Sequence, residues 1–198
     1  MADIDPTTPL TRDPSEAEME ARIARFSKLV PYKETMNTAH GIPAEAMRMM
    51  STEKVFPVMS PHDWTGRSSI APVKGAPGLT ISIAETPPGD NPGLHIHTKA
   101  TENFFCLKGR FRIEWGPNAE YSTILEENDF ISVPPGIYRN FVNLTDDTAR
   151  LLAIIQTPPG DTEDEVVMPP SVRRELAETY GDETLAKMNE LGFRFAAE

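Results

Sequence analysis

The 198-residue sequence has one cysteine, four histidines, two tryptophans and no apolar run near the ~18 residues of a membrane span. The lone thiol, Cys106, excludes an internal disulfide, and its place in the run ENFFCLKG reads as a small buried hydrophobe rather than a nucleophile. Positive charge is also scarce: 19 Lys and Arg face 30 Asp and Glu, a formal net charge of -11. A field of that sign repels phosphate backbones and anionic lipid surfaces, so neither nucleic acid nor membrane is expected as a partner. The opening MADIDPTTPLTRDPSE is acidic and proline-rich where a secretory signal would be basic and then apolar, so a cytoplasmic location is expected.

Proline is abundant, at 19 residues, and with 12 glycines it punctuates the chain into short segments. Residues 1–13 lack periodicity and are expected to form a flexible arm. Residues 14–66 are expected to form a helical extension packed on the domain that follows. Within it, Asp13 can cap, Pro14 suits a first helical position, and Met19, Ile23, Phe26 and Val30 recur at three- and four-residue intervals. That spacing predicts a helix over 14–30, and a second short helix is expected from Pro43 to Met50. The methionines there read as core rather than as metal ligands.

From Val55 to Thr157 ten short runs are rich in β-branched and aromatic residues, including VFPVM, SSIAPV, LTISIAE, ENFFCL and ARLLAIIQ. With turn signals between them they predict an all-β sandwich or barrel. Residues 159–198 return to helical texture: Val172, Leu176 and Tyr180 form a stripe, and Asp182 can cap a second helix that stops at Gly192.

Two of the four histidines, His95 and His97, are one residue apart in a strand-like run, where i and i+2 share a face. Glu102 follows a turn-like stretch and opens the next strand, so a hairpin brings it back beside them. Two imidazoles and a carboxylate suit one divalent ion: Fe(II), Mn(II), Zn(II), Ni(II) or Co(II). His40 and His62 lie outside this region; they read as loop residues, with a fourth ligand folding over the mouth as the sharper alternative. Strand alternation places Phe104 and Cys106 on the side of Glu102, and Phe141 on the side of Arg139.

Gly89 stands six residues before His95, and Gly109 seven after Glu102. This pattern resembles the first motif of the cupin superfamily. The segment NDFISVPPGIYRNFVN, residues 128–143, is similar to its second motif, with Pro134, Gly136 and Asn143 in place and Asn128 where a glycine is usual. The resemblance implies a single double-stranded β-helix, the RmlC-like jelly roll, over 67–158, with helices on both flanks. It also implies that Arg139 stands where a third histidine ligand is usual, and a guanidinium has no lone pair to donate.

Two arrangements follow. In one, His95, His97 and Glu102 hold the ion, Fe(II) first, while Arg139, Phe104 and Phe141 bind a small anionic molecule, as in a mononuclear dioxygenase-type oxidoreductase. In the other there is no metal, Arg139 pairs with Glu102, and the barrel only binds a ligand. A homodimer is expected, because exposed sheet edges and the terminal segments need cover.

Overall fold

The structure is a computed structural model that describes residues 13–35, 41–163 and 165–197. His40 and nearly all of the expected arm lie outside these residues. The chain folds as an all-β jelly roll of two six-stranded sheets with flanking helices. One sheet contains β1 (Lys54–Pro61), β2 (Val73–Gly75), β3 (Leu79–Thr86), β5 (Thr101–Lys108), β8 (Phe130–Val133) and β10 (Ala149–Gln156), in the order β2-β1-β3-β10-β5-β8. The other contains β4 (His95–Ile96), β6 (Phe111–Trp115), β7 (Tyr121–Leu125), β9 (Tyr138–Asn143), β11 (Val166–Met168) and β12 (Phe193–Phe195), in the order β12-β11-β4-β9-β6-β7. The sheets therefore draw strands from outside 67–158 at both ends.

Alternation along the strands builds the core between the sheets. Leu79–Thr86 places every second residue, from Thr80 to Thr86, inside, and Phe104, Cys106, Phe111, Ile113 and Leu151 are completely buried. Phe141 meets Phe104 and Phe111 edge-on, with ring centroids 5.4 and 5.8 Å apart. Truncating any one of these rings would cost about 3–5 kcal/mol.

A second apolar cluster joins the two flanks: Met47, Met50, Met168, Leu176, Met188 and Phe193. The methionines are core, as expected. The helix Ala44–Arg48 lies within the expected span, and the segment Pro170–Glu190 is broken at Gly181 (φ 80°, ψ 166°), so the two expected terminal helices are present.

The expected helix over 14–30 is not formed. Only Glu16–Glu20 is α-helical, and its cap is Ser15, in a reciprocal box with Glu18, rather than Asp13. Met19, Ile23 and Val30 remain about half exposed, so the apolar stripe has no core to dock on. A short helix without such docking does not propagate. Phe26 instead packs on Phe56 at 5.1 Å and beneath the Arg150 guanidinium at 4.5 Å. The run SSIAPV is also not a strand along its length, because Arg67–Ile70 form a 3-10 turn before β2. Helices alone were expected in the last forty residues, yet β11 and β12 pair in parallel there, and β11 also pairs with β4 through Val167 and Ile96.

Candidate metal centre

The site lies where the two sheets face each other. β4 is only two residues long and is held by β11 on one side and β9 on the other, with His95 opposite Arg139 and Ile96 opposite Tyr138. His97 follows directly, and its carbonyl accepts the Gly136 N–H at 2.9 Å, which ties the second motif to the first. Glu102 belongs to the other sheet, paired with Ile155 of β10 and Val133 of β8. Two turns support this frame. Asn128 has φ +71°, the left-handed conformation that lets it replace glycine. A side chain on Gly109 would come within 2.7 Å of Ala149 Cβ.

Nδ1 of His95 lies 2.8 Å from the Gly93 carbonyl. A carbonyl only accepts, so the proton is on Nδ1 and the lone pair is on Nε2. That Nε2 is 3.6 Å from Oε2 of Glu102, and Nε2 of His97 is 3.4 Å from the same oxygen. His95, His97 and Glu102 are all buried, and their donor atoms lie within 4.8 Å of one another. Ligands at ~2.0–2.2 Å from a common ion are separated by roughly 2.9–3.6 Å, so the spacing suits coordination and is too long for hydrogen bonding. Glu102 Oε2 is buried and has no hydrogen-bond partner, which costs about 1–3 kcal/mol unless a cation satisfies it. Burial works to raise the Glu102 carboxyl, but the charge of His97 and His95 in their protonated forms outweighs it and holds the group well below the usual carboxylate range. The donor set and the bare oxygen therefore fit a divalent ion.

A cavity of about 100 Å³ opens onto these residues; His95, His97, Glu102, Phe141, Tyr32 and Arg67 are part of its wall. Of the three residues expected to contact a substrate, only Phe141 lines it. Phe104 is sealed in the core beneath Phe141. Arg139 is fully buried, with Nε 3.6 Å from Glu102 Oε2 and Nη2 donating to the Pro134 carbonyl at 3.3 Å. It faces the flank of the carboxylate, not the cavity. His62 sits exposed in the turn after β1, as the loop reading has it. Cys106 is buried, and burial pushes its thiol up to about 11, so it is inert.

Tyr32 and Arg67 were not legible as site residues. The Tyr32 hydroxyl donates to Ser51 Oγ at 2.5 Å, and both residues line the cavity. Both come from the segment before the second strand, where no pattern in the chain signals which residues fold over the barrel. From the opposite end, Val166 of β11 and Phe193 of β12 close the cavity.

Residues 82–155 match the family model described as the cupin domain. Over 90 residues the chain is 33% identical to quercetin 2,3-dioxygenase of Aspergillus japonicus, covering 43% of this chain and 25% of that protein. The chain thus spans about a quarter of that relative's length. Among solved structures it is similar to the cupin domain of Schizosaccharomyces pombe Cnp3 (TM-score 0.39, 21% identity, 43% of this chain and 60% of that one). It is also similar to a sugar phosphate isomerase of the cupin superfamily from Silicibacter pomeroyi (TM-score 0.41, 18% identity, 59% and 64%). No helix among the described residues is long and apolar enough to cross a membrane. With the two-sheet jelly roll in place and the family match running from β3 into β10, residues 82–155 carry a cupin domain.

Proposed function

We propose that this protein is a metal-dependent cupin oxidoreductase of the mononuclear dioxygenase type. His95, His97 and Glu102 hold one divalent ion, Fe(II) first, and the substrate is a small anionic organic molecule. The observation that carries this reading is the convergence of two imidazole Nε2 atoms on one buried carboxylate oxygen that has no hydrogen bond. Two histidines and one carboxylate with open positions are the donor set of non-haem Fe(II) oxygenases. Such an ion supplies a Lewis-acidic centre where O2 and substrate can meet.

The chain's own residues supply the remainder. The Gly93 carbonyl fixes the His95 tautomer, and Phe141 gives the cavity an apolar wall. Arg139 offsets the Glu102 charge from the buried side. An ion of charge +2 with Glu102 and Arg139 leaves a net positive centre, which favours an anionic substrate. The relative's name supports the reaction class but not its substrate, since about 100 Å³ is far below the ~300–1,000 Å³ of sites for drug-sized ligands.

The metal-free reading, with Arg139 paired to Glu102, draws on the same 3.6 Å approach. It leaves the convergence of His95 and His97 on that oxygen without a purpose. Oxygen uptake tests the proposal. Fe(II)-loaded protein consumes O2 in the presence of at least one of a panel of two- to four-carbon acids, and Glu102→Ala does not. No uptake across the panel by protein shown to hold the ion contradicts the oxidoreductase assignment.

A further inference from the structure

We propose that Lys33 is a second reactive site of this chain, separate from the metal centre, whose amine captures small 2-oxo acids as a Schiff base.

Of the seven lysines in the sequence, Lys33 is the one that is buried, at 7% exposure. Its Nζ donates to the Ser51 carbonyl at 2.7 Å and has no ion pair among the described residues. An ammonium has three N–H groups, so a single carbonyl leaves it poorly satisfied in this setting. The nitrogen of a protonated imine has one N–H, which that carbonyl can accept. The resting hydrogen bond is thus already the one the imine would make.

Lys33 lines a cavity of about 170 Å³ together with Glu34, Ala44, Arg48, Glu53 and Lys54, and this cavity shares no lining residue with the metal cavity. At about 30 Å³ per water it holds roughly five waters, room for a ligand of a few heavy atoms. Arg48 is paired with Glu45 at 3.3 Å, whereas Lys54 has no ion pair among the described residues and is the cation left for a ligand carboxylate. A carbonyl carbon for Lys33 and a carboxylate for Lys54 together define a 2-oxo acid.

The amine is prepared for attack. Burial is the largest influence on Lys33; Arg48 works with it and Asp90, Glu53 and Glu45 work against it, leaving a pKa of about 8. At pH 7.5 about a quarter of such a group is neutral, against about one in a thousand for an ordinary lysine. The neutral amine keeps one N–H on the Ser51 carbonyl and offers its lone pair to the carbonyl carbon. The C–N bond forms as the C=O opens; the oxygen then leaves as water, with one proton from the amine and one from solvent. No oxidant or reductant is required.

Reductive trapping on the full chain tests the proposal. The protein is incubated with glyoxylate, or with the neutral aldehyde propanal, in the presence of cyanoborohydride, and labelling at each lysine is followed by peptide mass spectrometry. With glyoxylate at pH 7.5, Lys33 labels about tenfold faster than any exposed lysine, and its rate levels off above about pH 8 while theirs continue to rise. The glyoxylate-to-propanal ratio is higher at Lys33 than at the exposed lysines, and Lys54→Gln lowers it to their level. Labelling of Lys33 no faster than that of the exposed lysines overturns the proposal, since access alone would place a buried amine last. A ratio at Lys33 equal to the others overturns the 2-oxo acid class, and a ratio unchanged in Lys54→Gln overturns the role of Lys54. If Lys54→Gln does not fold, the site-resolved rates and ratio in wild type decide alone. The measurement requires no metal, so its outcome is independent of the function proposed above.

Discussion

Arg139 lies directly opposite His95 in the β4–β9 pairing and brings Nε to 3.6 Å from Oε2 of Glu102, the oxygen that both histidines face. One carboxylate oxygen thus has three nitrogens around it, two of which carry lone pairs when the imidazoles are neutral and one of which never does. The arrangement lets a single carboxylate balance a permanent buried cation on one side and present ligands to the cavity on the other.

Removing that cation leaves a buried carboxylate with less compensation. Arg139→Ala is expected to destabilise the fold by about 3–5 kcal/mol, measured by chemical denaturation of the metal-free protein. Arg139→His exchanges the cation for a donor and is expected to tighten divalent metal binding. A destabilisation below ~1 kcal/mol for Arg139→Ala would mean that the 3.6 Å approach contributes little.

Lys33 yields a pH-dependent prediction. It is 7% exposed, with Nζ donating to the Ser51 carbonyl at 2.7 Å, and burial lowers its pKa from 10.5 to about 8. Below pH 8 folded and unfolded chains both carry the proton, and the folded state bears the cost of the buried charge. Between about 8 and 10.5 the folded protein releases it while the unfolded chain keeps it, so this contribution to stability rises with pH by roughly 3 kcal/mol. Lys33→Met removes the effect. The variant's stability relative to wild type should be highest below pH 8 and fall through that window; a constant difference from pH 7 to 10.5 would contradict it.

Sheet edges lead to a proposed homodimer. β7 and β8 are the outer strands of their sheets and expose Tyr121 at 58% and Phe130 at 56%. Light scattering should give twice 22.0 kDa, and Phe130→Asp should shift it towards the monomer. A mass of 22.0 kDa for wild type at all concentrations would rule the dimer out.

The barrel and the triad were legible because two periodicities agreed. Alternation placed Glu102, Phe104 and Cys106 on one face, and the turn positions Gly89, Gly109 and Asn128 all adopt the positive φ that the motifs require. The roles of the flanks were not legible. Met19, Ile23 and Val30 have helical spacing, but spacing does not reveal that no core awaits them. β11 and β12 have three residues each, too few for a period to register, and they exist because β4 and Gly192 bring partners to them. Tyr32, ahead of β1, and Arg67, in the turn between β1 and β2, reach the cavity through tertiary folding. Arg139 has the same face as Phe141, yet direction along a strand does not specify depth, and it ends behind Glu102 rather than at the cavity wall.

The proposed function depends on metal binding by His95, His97 and Glu102 beside the buried Arg139. Anaerobic titration of Fe(II) into metal-free protein, read as ions bound per chain, tests it most directly. Wild type is expected to bind one ion per chain, with a strong loss of binding in His97→Ala and Glu102→Ala. A wild type that refuses Fe(II), Mn(II) and Zn(II) while Arg139→His accepts one ion would contradict it.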